Sequence, residues 1–250
     1  MNVQISLDDL EQESNGVDRY VRRVAYDEVK PFLLGIHYAR RMPNITDAFG
    51  LFLGGALIGV VTFGVPASRP LCIGIAGVEN EKNVLELNRL CLLPEHNGNN
   101  NASFLISRAL KQLPNKTFVV SYADTAWTHI GYIYQACNFL YTGLSAKRND
   151  TYQPNGLHPR AYDKNNHSDL MQSRSQKHRY IYLVGNKSTR RIMLRELRYP
   201  IIKEYPKGTE KRYNVDDPQI VTPIQVIRRK DDLREVGRYS ESPESAERSV

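Results

Sequence analysis

The chain has 250 residues, 41% of them hydrophobic and 9% aromatic, which is enough to bury one substantial core and favours a single domain with appendages. Lysine and arginine exceed aspartate and glutamate by 34 − 27 = +7, a balance that suits polyanionic partners, nucleic acid being the simplest. Cys72, Cys91 and Cys137 lie far apart in apolar runs, which excludes a disulfide framework or a zinc-finger spacing and reads as reduced, packed thiols.

In chain order, residues 1–18 are polar. From Asp18, the near-helical recurrence of Val21, Val24, Val29, Phe32 and Leu33 predicts a helix, split or restarted at Pro31 and stopped at Gly35. The apolar run Phe49–Val65 is too short to cross a bilayer as a helix and reads as two strands turning at Gly54-Gly55. Pro66 and Pro70 mark a loop, and Leu71–Val78 is expected to be a strand. Val84–Leu93, apolar and closed by Pro94, reads as a strand covered on both faces. Leu105, Ile106, Ala109, Leu110 and Leu113 share one side of a predicted helix, Ala102–Leu113. A buried strand over Thr117–Tyr122 and a helix over Thr125–Cys137 follow. Residues 149–176 form a loop-rich excursion, Lys177–Gly185 returns to strand character, and Lys187–Leu197 is a strongly basic helix. Residues 208–250 are charged and expected to be disordered. The amino terminus lacks the basic-then-apolar pattern of a secretory signal, so the expectation is a cytoplasmic protein with no membrane partner.

A strand that enters a glycine-bearing loop and then a helix gathers backbone N–H groups and the positive end of the helix dipole at one place, which suits a phosphate. Here the loop carries Asn97, Gly98, Asn99, Asn100, Asn101 and Ala102, and asparagine is the non-glycine residue that best tolerates left-handed backbone. The alternative is an ordinary capped surface loop. The Ser103 hydroxyl then bonds either a phosphate or the backbone. Arg89, expected mid-strand, calls for an anionic partner, either Asp124 or a bound donor, unless it lies at the strand end and reaches water. Asp124 stands at the end of a strand and before Thr125-Ala126-Trp127, where it serves as a base or as a helix cap. Tyr134 lies on the apolar face of its helix, in the core or at a cleft.

The order of elements resembles the GNAT superfamily of acyltransferases. That family's pyrophosphate loop reads Arg/Gln-x-x-Gly-x-Gly/Ala; Asn97 to Ala102 occupy those places and match at Ala102. Its helical tyrosine, followed by Gly-Phe, corresponds to Tyr134 before Asn138-Phe139. The resemblance implies an α/β fold over residues 1–207, a GNAT-like mixed sheet flanked by helices with a basic C-terminal extension, and Tyr134 as a general acid.

Ile36-His37-Tyr38, Gly59-Val60-Val61-Thr62-Phe63-Gly64, Leu85-Glu86-Leu87-Asn88-Arg89-Leu90, Ser121-Tyr122-Ala123-Asp124 and Lys177-His178-Arg179-Tyr180 resemble the Mom family of phage proteins, over roughly residues 20–207. That resemblance implies a host-cytoplasmic enzyme that converts the exocyclic amine of adenine in phage DNA to its carbamoylmethyl derivative and so blocks restriction. Asp124 would be the base and Tyr134 would assist the leaving group, with Arg89 and Ser103 organising the donor. The donor is left open among acetyl coenzyme A, an activated glycyl donor such as a charged tRNA, and another two-carbon unit. His37 and Tyr38 match proposed iron ligands. DNA phosphates would meet Arg40, Arg41, Lys147, Arg148, Lys177, Arg179, Arg190, Arg191 and Arg195. The oligomeric state stays open, a dimer among the options. Two rival expectations are a coenzyme A-dependent N-acyltransferase acting on a protein or small amine, and a basic DNA-binding protein without chemistry.

Overall fold

The glycine pair at residues 54 and 55 turns the chain through φ +56° and +82°, the backbone that a two-residue hairpin demands, and sets two long strands side by side. The structure is a computed structural model that describes residues 18–151, 170–208 and 226–228. Its strands are β1 (Arg19–Arg23), β2 (Asp47–Leu53), β3 (Ala56–Gly64), β4 (Val84–Leu92), β5 (Thr117–Asp124), β6 (Leu140–Leu144), β7 (Arg148–Thr151), β8 (Leu170–Arg174), β9 (Lys177–Val184) and β10 (Val226–Arg228). Its α-helices are α1 (Tyr26–Pro31), α2 (Arg69–Ala76), α3 (Asn101–Leu110), α4 (Tyr132–Ala136) and α5 (Lys187–Glu196). A seven-stranded sheet runs β1-β2-β3-β4-β5-β9-β6, and β10-β8-β7 form a second sheet of three strands. Neighbours are antiparallel except β4 and β5, which are parallel. This is the mixed sheet flanked by helices that was expected.

Alternation along β5 divides the core. Val119 faces the layer formed by Leu105, Ile106, Ala109 and Leu110 of α3, together with Phe49, Leu51 and Phe63. Phe118 and Val120 face the opposite layer, where Cys72 and Ile75 of α2 and Met193 of α5 pack. On that same side Val29 and Leu33, from α1 and the π-helical turn Phe32–Ile36 that continues it, cover Ala48, Val60 and Cys91. All three cysteines are buried and free, and burial pushes the Cys91 thiol up to about 12 and Cys137 to about 11.

The feature that positions the site is the separation of β4 from β5. They pair only at Val84–Glu86 with Phe118–Val120. Beyond this, β4 carries a bulge: Thr62 of β3 stands opposite Arg89 and Phe63 opposite Leu87, so Asn88 is extra. The Thr62 hydroxyl donates to Asn88 Oδ1 at 2.6 Å, and Asn88 Nδ2 donates to the Asn44 carbonyl at 2.8 Å, which fixes the bulge. Bulges bend and twist their strand. Ser121, fully buried on β5, donates across to the Leu87 carbonyl at 2.9 Å where pairing has ceased.

Several elements differ from the sequence expectation. Arg19–Arg23 is an edge strand, not helix, because it pairs with β2 along its length, with Tyr20 stacked on Phe52 and Arg22 over the same ring. The strand expected over Leu71–Val78 is helix α2: Cys72, Ile75 and Ala76 bury one face, and Gly77, at φ +80°, ends it. The helix expected over Thr125–Cys137 is a 3₁₀ turn and then α4, interrupted by left-handed backbone at Thr128 and Gly131. The excursion begins and ends in strands β7 and β8, and its residues 152–169 lie outside the described residues. So does the expected disorder of 208–250, save Gly208 and β10, a strand paired with β8. Among the described residues no helix is long and apolar enough to cross a membrane.

Candidate active site

A cleft of about 720 Å³ opens where β4 leaves β5. The loop from Asn97 to Ser103, the end of β4 at Leu90–Leu92, His37 and Tyr38 from the π-helical turn, and His129, Ile130 and Ile133 ahead of and within α4 line it. Every residue of the expected phosphate loop is therefore on its wall.

The loop has the local conformation that asparagine permits. Asn99 and Asn100 sit at φ +51° and +57°, and α3 starts directly after them. Asn101 is buried and anchors the turn by donating to the His96 carbonyl at 3.1 Å. Arg19 of β1 reaches over from outside, donating to the Asn99 carbonyl at 3.2 Å and Asn101 Oδ1 at 3.3 Å while lying over the Phe104 ring. A Cβ at Gly98 would meet nothing within 4 Å, so the loop faces open space there. The first amides of a helix have no intrahelical acceptors, so this start presents donors to an anion. Ser103 does not point its hydroxyl outward as a donor: it donates to the Asn100 carbonyl at 2.9 Å.

Arg89, Asp124 and Tyr134 are not among the residues lining the cleft, yet they share one electrostatic neighbourhood centred on Tyr38. Arg89 and Asp124 both act on the Tyr38 phenol, which burial raises, and Tyr38 and Tyr134 both act on Arg89. The bulge places Arg89 and Asn88 together opposite Thr62. The Arg89 guanidinium donates from Nη1 to the Asn88 carbonyl at 2.6 Å, and its buried Nε has no hydrogen-bond partner. Burial lowers its pKa, and Asp124, one of the two anionic partners expected for it, pairs with Lys177 instead. Glu86, whose carboxyl is raised by burial, is within electrostatic reach of Arg89.

Asp124 is engaged on both oxygens. Oδ1 accepts from Ser175 Oγ at 2.5 Å and from the Ala126 amide at 3.0 Å, and Oδ2 pairs with Lys177 Nζ at 2.8 Å. Burial pushes its pKa up, but Lys177, Ser175 and the Ala126 amide together outweigh burial and hold it below the usual carboxylate range. It thus caps the 3₁₀ turn Thr125–Trp127 and is ionised at neutral pH. Tyr134 packs between Phe139 and Tyr180, each with ring centroids 5.4 Å away.

The Mom protein family profile matches residues 18–207. The chain belongs to the Mom protein family. Methylcarbamoylase mom of Escherichia phage Mu is 32% identical to it over 112 residues, 43% of this chain and 46% of that protein, so the match spans just under half of that relative. Solved structures of related shape include a GNAT-family acetyltransferase from Bacillus cereus, at 10% identity and TM-score 0.40, covering 68% of this chain and 99% of that one. Another is yncA from Salmonella typhimurium with its cofactor acetyl-CoA, at 10% identity and TM-score 0.44, covering 68% and 95%.

The donor atoms of His37 and Tyr38, the expected iron ligands, are poorly suited to a cation. The Ala39 amide donates to His37 Nδ1 at 3.0 Å, which occupies that lone pair and puts the neutral ring's proton on Nε2. Arg89 acts on both His37 and Tyr38, and Arg41 acts on Tyr38, so a cation here would face two guanidinium groups. Among the described residues no group of three or more His, Cys, Asp or Glu could hold a metal. The residues do not fit iron.

The basic residues divide sharply. Arg179 is buried; it donates to Thr142 Oγ1 and to the Thr142 carbonyl, both at 2.9 Å, and lies 3.4 Å over the Tyr199 ring. The sequence grouped it with a DNA-facing surface, and packing takes it off that surface. Lys177 is committed to Asp124. Arg40, Arg41, Lys147, Arg148, Arg190, Arg191 and Arg195 are exposed, with Arg190 also donating to Tyr182 Oη at 2.9 Å. Asn88, Ser121, Trp127 and His129 shape the site without having been singled out by sequence; the phrase LELNRL contains Asn88, but only strand pairing reveals that it bulges.

Proposed function

We propose that the protein is a transferase that modifies the exocyclic amine of adenine in DNA, adding a carbamoylmethyl group, in a phage setting where the product resists restriction. The observation that carries this reading is the convergence, in a member of the Mom family, of an anion-binding loop and the His37-Tyr38 turn on one cleft at the β4–β5 separation.

In this reading the donor lies with its phosphates at Asn97–Ala102, against the α3 amides, and its reactive end points towards the gap between β4 and β5. Acetyl coenzyme A and an activated glycyl unit, free or borne by tRNA, share the anionic handle that the loop would take. Arg89, with a buried Nε still able to donate, orients the donor's polar end. Adenine's amine is a poor nucleophile because its lone pair is delocalised into the ring. As its nitrogen bonds to the donor's carbonyl carbon and the bond from that carbon to its carrier breaks, the nitrogen becomes strongly acidic, so even the weakly basic Asp124 carboxylate can receive the proton. A glycyl donor leaves N6–CO–CH2–NH2, which holds every atom of the carbamoylmethyl group and reaches it by isomerisation, whereas acetyl coenzyme A leaves an acetyl group without the nitrogen. Tyr134 supplies a proton to the departing group. Exposed arginines and lysines hold the DNA backbone.

The test is nucleoside mass spectrometry of DNA from cells expressing the full chain, fed isotope-labelled glycine or acetate. Modified deoxyadenosine carrying either label supports the reading and identifies the carbon source. Unmodified DNA alongside acylated protein or small amines would favour the coenzyme A-dependent alternative.

A further inference from the structure

Four rings gather beside Asp124, outside all three hydrophobic clusters of the core. Tyr38 stacks on His37 with centroids 4.3 Å apart, while Trp127 and His129 stand 5.2 Å and 6.1 Å from Tyr38. Two elements bring them together. His37 and Tyr38 follow the π-helical turn, and Trp127 ends the 3₁₀ turn that Asp124 caps. His129 follows Thr128, whose φ of +55° reverses the chain, and its amide donates to the Asp124 carbonyl at 3.2 Å. His37, Tyr38 and His129 line the cleft, and Trp127 is partly exposed.

Rings that merely fill a core become buried in it; Tyr38, Trp127 and His129 are only partly buried, come from two turns at a cleft, and the last two follow Asp124 closely in sequence. A base inside a duplex cannot reach such a cleft unless it leaves the stack, and an enzyme that takes it out replaces lost stacking with aromatic faces. We propose that Tyr38, Trp127 and His129, with Trp127 inclined at 51° and His129 at 77° to Tyr38, form an aromatic platform with angled walls in which an adenine extruded from DNA stacks on one ring and meets the others edge-on. This rests on the DNA-adenine reading above and adds to it the surface that receives the base. His37 completes the recognition. Its Nδ1 accepts from the Ala39 amide, which leaves Nε2–H as a donor for a ring nitrogen of the base. A ring N–H donor suits the unprotonated ring nitrogen on adenine's edge, where guanine and thymine present an N–H instead.

Trp127 is the chain's one tryptophan, so its fluorescence reports on this platform alone. The full chain is titrated with single-stranded hexadeoxyadenylate and with an abasic oligonucleotide of equal length and charge. Quenching by the first and not the second is expected. With binding read instead from the anisotropy of dye-labelled oligonucleotides, Trp127→Ala and Tyr38→Ala should each weaken hexadeoxyadenylate binding about tenfold, with abasic binding unchanged and Trp127→Phe near wild type. Equal quenching by both oligonucleotides, or no quenching by either, overturns the platform even if DNA from expressing cells contains modified deoxyadenosine. Base-dependent quenching without modified deoxyadenosine upholds the platform and removes the chemistry. The wild-type titration decides the matter even if an alanine variant fails to fold.

Discussion

Lys177 Nζ stands 2.8 Å from Asp124 Oδ2, and this pairing, at the register where β9 lies against β5, decides what kind of carboxylate Asp124 can be. Lys177 is 41% exposed, so solvent screens the pair and its worth to stability is about 0.2–1 kcal/mol. Its effect on chemistry is larger, because an ionised, hydrogen-bonded carboxylate accepts a proton only late in the reaction. Asparagine caps a turn as well as aspartate does. Asp124→Asn should therefore shift the unfolding midpoint little while lowering modification of DNA by at least about a hundredfold. Activity close to wild type in Asp124→Asn, measured by nucleoside mass spectrometry, would leave Asp124 as a cap and no more.

The basic residues give a second prediction through their different burial. Arg179→Ala removes the guanidinium donors to Thr142 Oγ1 and to its carbonyl and leaves a gap over Tyr199, and should cost about 2–4 kcal/mol in urea unfolding. Arg191→Ala and Arg195→Ala, on the exposed side of α5, should stay within about 0.5 kcal/mol of wild type. If α5 meets DNA, each of those two should instead reduce the slope of log affinity against log salt by about one. Unchanged salt slopes in both would take α5 out of the DNA-binding surface.

A third prediction concerns the loop backbone. Asn100 at φ +57° immediately precedes α3, so a β-branched residue there must either leave the left-handed region or tolerate strain of about 1–2 kcal/mol. Asn100→Val should lower thermal stability and weaken binding of coenzyme A or inorganic pyrophosphate used as probes. Asn100→Gly should preserve both, since glycine adopts this backbone freely. Equal loss in the two variants would assign the role to the asparagine side chain instead of the backbone.

What was legible in the sequence follows from how local each feature is. The Gly54-Gly55 hairpin and the left-handed asparagines ahead of α3 are set by residues within a few positions, and the structure has both. Arg69–Ala76 was not legible, because eight apolar-rich residues between Pro and Gly fit a buried strand as well as a helix; the helix is selected by what packs on Cys72 and Ile75. Arg19–Arg23 continues a helical spacing on paper, but β2 offers it a free edge. The Asn88 bulge and the meeting of Tyr38 with Trp127 depend on strands and turns distant in sequence, so no periodicity could announce them. Arg179 illustrates the reverse case: a charge counted with the surface was drawn inside by Thr142 and Tyr199.

His37 supplies a pH prediction whose sign can be worked out. Burial, with Arg89 and His129 nearby, lowers its pKa from 6.5 to about 3, so the folded protein keeps the ring neutral where the unfolded chain would protonate it. Between about pH 6.5 and 3 the unfolded state then binds more protons, and stability must fall as pH falls. Above pH 6.5 the contribution is complete and flat. Glutamine in place of His37 retains an N–H donor and cannot titrate. His37→Gln should therefore show a shallower loss of thermal stability than wild type from pH 6.5 down to pH 4, with the two profiles running parallel above pH 7. Slopes that coincide across the acid range would mean that His37 is protonated in the folded protein, and its proposed service as a neutral N–H donor to the base would go with it.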